Sequence, residues 1–421
     1  MKTSLSKIIE IKKGKKPISQ SKEKVAEQLP YVDIKAFETG IVDNYTDGKK
    51  CVPCEDGDLI IVCDGSRSGL IGKAIKGYVG STLARVDVPE SIEKDYLFYF
   101  IQGRYSQLNT NVKGTGTPHL NQELLKSFEI FLPELSEQQR IVERIEELFS
   151  QLDNAVETLK KTKQQLAIYR QAVLKEAFEG RYTENWRKDK GFAITEEDLN
   201  SIKIYDAVYK DTSGDENEIK LTIPSQWIKV RMGDVFSVEV GSTPSRKMPE
   251  YWNGNIPWVS SGEVHFNSIF ETEECITQCG LDHASTNVHP IGTIMLAMIG
   301  EGKTRGQAAI LNIPAAHNQN TAAILVSKTP CQPKYIYYFL QMNYENTRRV
   351  GSGNNQKALN KERVRALRFP FASFEEQALI VFQIESRISV CDSIEKTVDT
   401  ALQQAEAMRQ SILKKAFEGK L

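Results

Sequence analysis

VLKEAFEG at residues 173–180 returns as ILKKAFEG at residues 412–419, 239 positions later. The phrase mixes a Phe, a Gly and charges in fixed order, so low-complexity drift does not account for it. Followed backward at the same offset without gaps, residues 137–180 and 376–419 are identical at 19 of 44 positions. The offset still holds where YLFYFIQ (96–102) lies over YIYYFLQ (335–341), and Leu120-Asn121 over Leu359-Asn360. Nearer the starts the match is looser: GKKP (14–17) resembles GSTP (241–244), and LPYVDI (29–34) resembles IPWVSS (256–261). The chain reads as two copies of one unit, each a globular part followed by a helical part.

In the first helical part apolar residues recur in alternating steps of four and three: Ile141, Ile145, Leu148, Leu152, Ala155, Leu159, Leu166, Tyr169, Val173, broken once at Thr162. The second repeats this with Ile380, Ile384, Cys391, Ile394, Val398, Ala401, Ala405, Met408 and Ile412, broken once at Arg387. A seam spaced 3.5 residues over more than four heptads is a coiled-coil signature. Gly180 and Gly419 suit left-handed helix caps. A rod of about 43 residues, roughly 64 Å long, cannot bury its seam alone. The other copy is the economical partner, with pairing across a homodimer as the alternative.

The globular parts are strand-rich. DLIIVC (58–63) and TIMLAM (293–298) are short apolar strands, each followed by a glycine-rich turn. Residues 181–224 are acidic and include TSGDENE (212–218), a linker signal.

With 421 residues, 40% hydrophobic and 26% charged, the composition is that of a globular chain with enough apolar surface for several cores. No apolar run approaches the ~18 residues of a membrane span. The start MKTSLSKIIEIKKGKK lacks the apolar core of a signal peptide. The seven irregularly placed cysteines fit a reducing compartment, so a cytoplasmic location is expected. Cys51-Val52-Pro53-Cys54 has no second pair at zinc-site spacing, and the five histidines are scattered, so no metal is expected.

Catalytic motifs are missing as well. GEGKT (300–304) resembles the end of a phosphate-binding loop, but the Gly required five positions before Gly302 is Ala297. No Pro-Pro dipeptide exists, which removes the amino-methyltransferase motif, and neither G-x-S-x-G nor H-E-x-x-H occurs.

The net charge of −1 hides a pattern. Residues 1–130 carry 19 Lys+Arg against 17 Asp+Glu, and residues 225–370 carry 15 against 11, so both globular parts are mildly basic and the rest is acidic. Basic residues gather in expected loops: Lys12, Lys13, Lys15 and Lys16; Arg67 and Lys73; Lys113; Arg246 and Lys247; Lys303 and Arg305; Arg348 and Arg349. The run Gly351 to Lys357 adds Asn354, Asn355, Gln356 and Lys357 on a flexible backbone. Arg and amide side chains read base edges, while Lys and backbone N–H groups hold phosphates. In two tandem copies, this set points to DNA. A coiled-coil scaffold that assembles other proteins without reading DNA is the alternative.

The order of variable part, FLPELSEQQRIVERIEELFSQLD, AVLKEAFEGRYTENW, second variable part and shorter echo resembles the specificity subunit of type I restriction–modification systems. The resemblance covers essentially the whole chain. Leu132-Pro133 before Glu137-Gln138 and the duplicated LKEAFEG ending carry it, while the second copy departs: the offset from Pro133 falls on Ala372, and its proline is Pro370. The resemblance implies a mixed α/β (α+β) fold with two tandem β-rich target-recognition domains (1–133 and 225–372). Each is followed by a long helix (134–180 and 373–421), with a linker at 181–224, and the two helices pack as an antiparallel coiled coil. It also implies a non-catalytic subunit that binds an asymmetric bipartite site in double-stranded DNA. Two methyltransferase and two restriction subunits would be its partners. S-adenosylmethionine, ATP and Mg would sit on those partners, with no cofactor in this chain and no membrane association.

Overall fold

The computed structural model describes residues 2–114, 116–191, 194, 221–300, 302–349 and 359–421. Helix and strand are mixed, and the two expected long helices span Leu135–Phe178 and Phe374–Phe417, 44 residues each. The chain divides into two compact units: Met1–Thr162 with Thr397–Leu421, and Lys163–Lys396. Each unit therefore combines one globular part with the start of one long helix and the end of the other.

In the first unit Lys2–Ser4 pairs antiparallel with Glu129–Phe131, so the globular part closes on itself just before its helix begins. Its main sheet runs in the order Glu10–Lys13, Leu83–Asp87, Leu59–Val62, Ile71–Lys73. A second sheet holds Tyr45–Thr46, Leu29–Val32, Gly77–Val79 and Val52–Cys54, with the middle pair parallel. Leu59–Val62 explains itself by alternation: Leu59 and Ile61 enter one core, Ile60 and Val62 the other. A strand buried on both faces needs an unbroken apolar run, and LIIV supplies it.

The second unit repeats this plan. Ile228–Arg231 pairs with Arg368–Phe371. The main sheet gains a strand, in the order Val238–Val240, Thr321–Ile324, Ile294–Ala297, Ala308–Leu311, Asn267–Ile269. The smaller sheet holds Glu274–Ile276, Trp252–Val259 and Ala316–His317. Ile294 and Leu296 face one core, Met295 and Ala297 the other. The loose match of GKKP with GSTP marks one structural position. A Cβ on Gly14 would lie 2.2 Å from the Gly80 carbonyl oxygen, and one on Gly241 2.0 Å from that of His317. Only glycine lets the backbones pass so closely.

Inside each unit the helix start of one copy meets the helix end of the other, so the pairing is antiparallel. In the first, Ile141, Val142, Ile145 and Phe149 share a core with Ile412, Leu413 and Ala416. In the second, Leu174, Ala177 and Phe178 share one with Ile380, Val381 and Ile384. The seam departs from the heptad reading in detail. Ala155 and Tyr169 are exposed, as are Ile394 and Met408, and half-buried Val156, Arg170, Glu395 and Arg409 replace them. The other half of the seam keeps its seven-residue spacing: Ile145, Leu152, Leu159, Leu166 and Val173 in one helix, and Ile384, Cys391, Val398, Ala405 and Ile412 in the other, are buried or half-buried. The alternate positions shift by one residue while the heptad repeat persists. Arg170 and Arg409 lie along the seam because each extends to a carboxylate of the other helix, Asp392 (2.6 Å) and Asp153 respectively. Both helices end as expected, at left-handed Gly180 (φ 71°) and Gly419 (φ 72°).

In the segment expected as a linker, Arg181–Thr183 and Glu184–Lys190 form short helices. TSGDENE (212–218) lies outside the described residues.

Candidate nucleic-acid interface

The duplication is repeated contact by contact. The Tyr96 hydroxyl donates to the Phe131 carbonyl at 2.8 Å, and Tyr335 donates to the Pro370 carbonyl at the same distance. Gln138 accepts from the Glu93 N–H (3.0 Å) and donates to the Pro133 carbonyl (3.0 Å). Gln377 accepts from the Gln332 N–H (3.1 Å) and donates to the Ala372 carbonyl (2.9 Å). The shifted proline therefore leaves the helix-entry hydrogen bonds intact. Phe417 packs edge-on against Tyr96 and Phe100 (5.0 and 5.2 Å), while Phe178 meets Tyr335 and Phe339 (5.0 and 5.6 Å). Every one of these pairs keeps the 239-residue offset. Near the helices a repeated surface is left over: the Tyr99 hydroxyl donates to Glu146 (3.4 Å), and Tyr338 to Glu385 (3.5 Å).

Against that constant frame, the expected DNA-facing residues fall into three groups. Lys15, Lys16, Lys247 and Lys303 are exposed and have no acidic partner among the described residues. Lys15 and Lys16 directly follow Gly14, and Lys247 follows Gly241 by six residues, so the two close backbone crossings place them.

A second group is already paired within the protein. Lys13 meets Asp64 at 2.9 Å, Arg67 meets Glu38 at 2.5 Å, Lys73 meets Asp95 at 2.6 Å and Lys113 meets Glu123 at 2.6 Å. Asp64 also contacts His119 Nδ1 at 2.7 Å. Its partial burial works to raise its pKa, but hydrogen bonds from Lys13 and His119 prevail and hold it below the usual value. Arg246 is likewise paired with Glu274 and lies over Trp252.

The third group braces its own loop. Arg305 is half-buried and donates to the Arg348 carbonyl at 2.9 Å. Arg348 donates to the Tyr344 hydroxyl (2.9 Å) and the Gly302 carbonyl (2.5 Å). These guanidinium groups tie the turn after strand Ile294–Ala297 to helix Tyr344–Arg349. Asn354, Asn355, Gln356 and Lys357 lie outside the described residues.

No group of three or more His, Cys, Asp or Glu side chains able to hold a metal occurs among the described residues. No helix among them is long and apolar enough to cross a membrane. Burial pushes the Cys54 and Cys63 thiols up to about 11, which keeps them protonated and unreactive at neutral pH. What the geometry offers is a frame of repeated contacts that carries cations at its surface. Sequence reasoning did not find Trp252 and Glu274, which fix Arg246. The Asn253-Gly254 dipeptide beside them was the one turn signal available.

A family model, the type I restriction modification DNA specificity domain, matches residues 1–167 and 224–404. The MjaVIII specificity subunit of Methanocaldococcus jannaschii, named as part of a type I restriction enzyme, is 24% identical over 418 residues, covering 97% of this chain and 90% of that protein. The EcoBI specificity subunit of Escherichia coli is 26% identical over 377 residues, covering 86% and 73%. Among solved structures, a chain from work on complex assembly and conformational transition of the type I R-M system aligns over 100% of this chain and 98% of its own, with TM-score 0.71 and 17% identity. The HsdS subunit from Thermoanaerobacter tengcongensis gives TM-score 0.57 and 16% identity over 100% and 97%. The chain belongs to the family of type I restriction–modification DNA specificity proteins.

Proposed function

We propose that this chain is the DNA-reading subunit of a type I restriction–modification enzyme, and that its globular parts, 1–133 and 225–372, each read one half of an asymmetric bipartite site. The observation that carries this is the contrast between a frame repeated bond for bond and loops that differ: Lys15 and Lys16 in one copy, Arg246 and Lys247 in the other. Two equal readers would need equal loops. Unequal loops on equal frames suit a site with unlike halves. The helical parts, 134–180 and 373–421, set the spacing between halves, with 181–224 as the link. The Tyr99–Glu146 surface and its repeat at Tyr338–Glu385 take two methyltransferase subunits, one each. Two restriction subunits complete the enzyme. S-adenosylmethionine, ATP and Mg belong to those partners, and this chain is non-catalytic.

The test is methylome sequencing of a host carrying the chain with its methyltransferase. A split motif with two unlike halves is expected, and no turnover by the purified chain alone. A host whose methylation does not depend on this chain would contradict the reading.

A further inference from the structure

The second unit holds an arrangement that the first does not repeat. The Arg246 guanidinium lies 3.8 Å from the centre of the Trp252 ring and 5.6 Å from that of Trp258. The two rings meet edge to face at 5.2 Å. Both are tied to the loop that carries the arginine: the Trp252 indole N–H donates to the Ser245 carbonyl and that of Trp258 to the Ser242 carbonyl, each at 3.2 Å. Glu274 takes the guanidinium end-on, one carboxylate oxygen for each terminal nitrogen, with the Nη2 bond at 2.7 Å. The side chain nevertheless remains 56% exposed.

An end-on fork leaves the side edge of the guanidinium unused. The Nε–H and the outer N–H of Nη2 form a second, parallel pair of donors. That pair matches the O6 and N7 acceptors that guanine presents in the major groove. Arginine free to swing would lose rotamer entropy on binding, whereas a plane clamped by indole and carboxylate has already lost it.

The adjoining strand supports the same assignment. Trp252 and Ile256 both pair with Ile276, so Asn253, Gly254 and Asn255 bulge out between them. Asn253 holds a left-handed backbone (φ 60°), and both asparagines are exposed. A Cβ on Gly254 would sit 2.4 Å from the Ile276 carbonyl oxygen, so the bulge needs that glycine. Bulges of this kind re-aim side chains beside functional sites. In the first unit the matching strand, Leu29–Val32, pairs without a register shift, and the residue five after Gly14 is Ser19 rather than Arg.

We propose that Arg246 reads a guanine in the half-site of the second unit, with Glu274 and Trp252 as positioning residues that hold its plane for side-on pairing. This rests on the DNA-reading function proposed above. The test uses the full chain assembled with its methyltransferase subunit. Binding is measured on duplexes in which each base pair of the second half-site is replaced in turn. The native complex is expected to prefer guanine at one position. R246A removes that preference, about 5- to 150-fold, and leaves other positions and the unfolding midpoint unchanged. R246K retains overall affinity but not the preference, because an ammonium cannot pair bidentately. E274Q weakens the same single preference without moving the unfolding midpoint, which a purely structural clamp would not do. An R246A complex that keeps every preference, or weakens on all sequences alike, overturns the inference while the reading function stands. A native complex with no sequence preference overturns both.

Discussion

Glu137 and Glu376 occupy the same position in the two copies, yet one is half-buried at the surface and the other fully buried. Glu137 sits at the surface and pairs with Arg140 one turn along its own helix, at 2.8 Å. Glu376 is 2% exposed and receives the Trp227 indole N–H at 2.7 Å, the Thr183 hydroxyl at 2.6 Å and the Arg187 guanidinium. Thr183 and Arg187 come from the segment that follows the first long helix, and Arg187 also donates to the Gly180 carbonyl at 2.6 Å. The two copies share a frame, and the described start of the connection, residues 181–190, packs against Glu376 of the second copy. Duplication fixed the parts that pack, while position in the chain decided what became of an identical side chain.

The largest expected effect tests that difference. E376A leaves the Arg187 charge buried without its partner and should cost about 3–5 kcal/mol in the second unit. E137A removes one exposed i,i+3 pair and should cost below about 1 kcal/mol. Denaturant unfolding followed by a probe in each unit measures both. Equal losses would mean that the buried cluster does not carry the asymmetry.

The aromatic ends of the helices sharpen the likeness. Phe178 is fully buried between Tyr335 and Phe339, so F178A should cost about 3–5 kcal/mol. Phe417 makes the same contacts with Tyr96 and Phe100 but is only partly buried, and F417A should cost less. The reverse order would break the correspondence.

A third difference is acid sensitivity. In the second unit His317 Nε2 lies 3.1 Å from His289 Nε2, and its Nδ1 is 2.7 Å from the Thr321 hydroxyl. Burial, and then the neighbouring His289, push His317 down to about 3, and burial also pushes His289 below its usual 6.5. His317 stays neutral in the folded unit and takes up a proton on unfolding below its ordinary value. Its contribution is therefore fully present above about pH 6.5 and is lost as pH falls toward about 3, and the lowered His289 acts in the same direction. Glu239, which favours protonated His289, and Lys328, which opposes it, are the other charges felt there. Melting curves at pH 7.5 and 5 should show the second unit weakening, and H317N should reduce that slope. An unchanged slope would contradict the assignment.

The smallest effects belong to the free lysines. Replacing Lys15, Lys16, Lys247 or Lys303 by Ala should weaken binding equally on all sequences and lower the salt slope by about one each. R305A should instead loosen the 302–306 turn without changing the slope, because its guanidinium is spent on the Arg348 carbonyl.

Much of this fold was legible because duplication doubles the signal. Ile141, Ile145, Ile380 and Ile384 read as a seam twice over, and LIIV and IMLA read as buried strands. The middle of the seam was only half legible: one set of heptad positions is buried as read, but which neighbour fills the alternate positions is decided by the partner helix, and nothing local shows that Arg170 replaces Tyr169. The cations were legible as residues but not as pairs. Lys13 finds Asp64, and Arg67 in a turn finds Glu38 on helix Ile34–Thr39, only through tertiary folding, which no short window of sequence displays.

The most direct test of separable readers on a shared frame is an exchange of residues 225–370 for the counterpart from another specificity subunit, followed by methylome sequencing. The half-site read by the second unit should change, the other half and the spacer should stay, and assembly with the methyltransferase should persist. A motif altered in both halves at once would contradict the account.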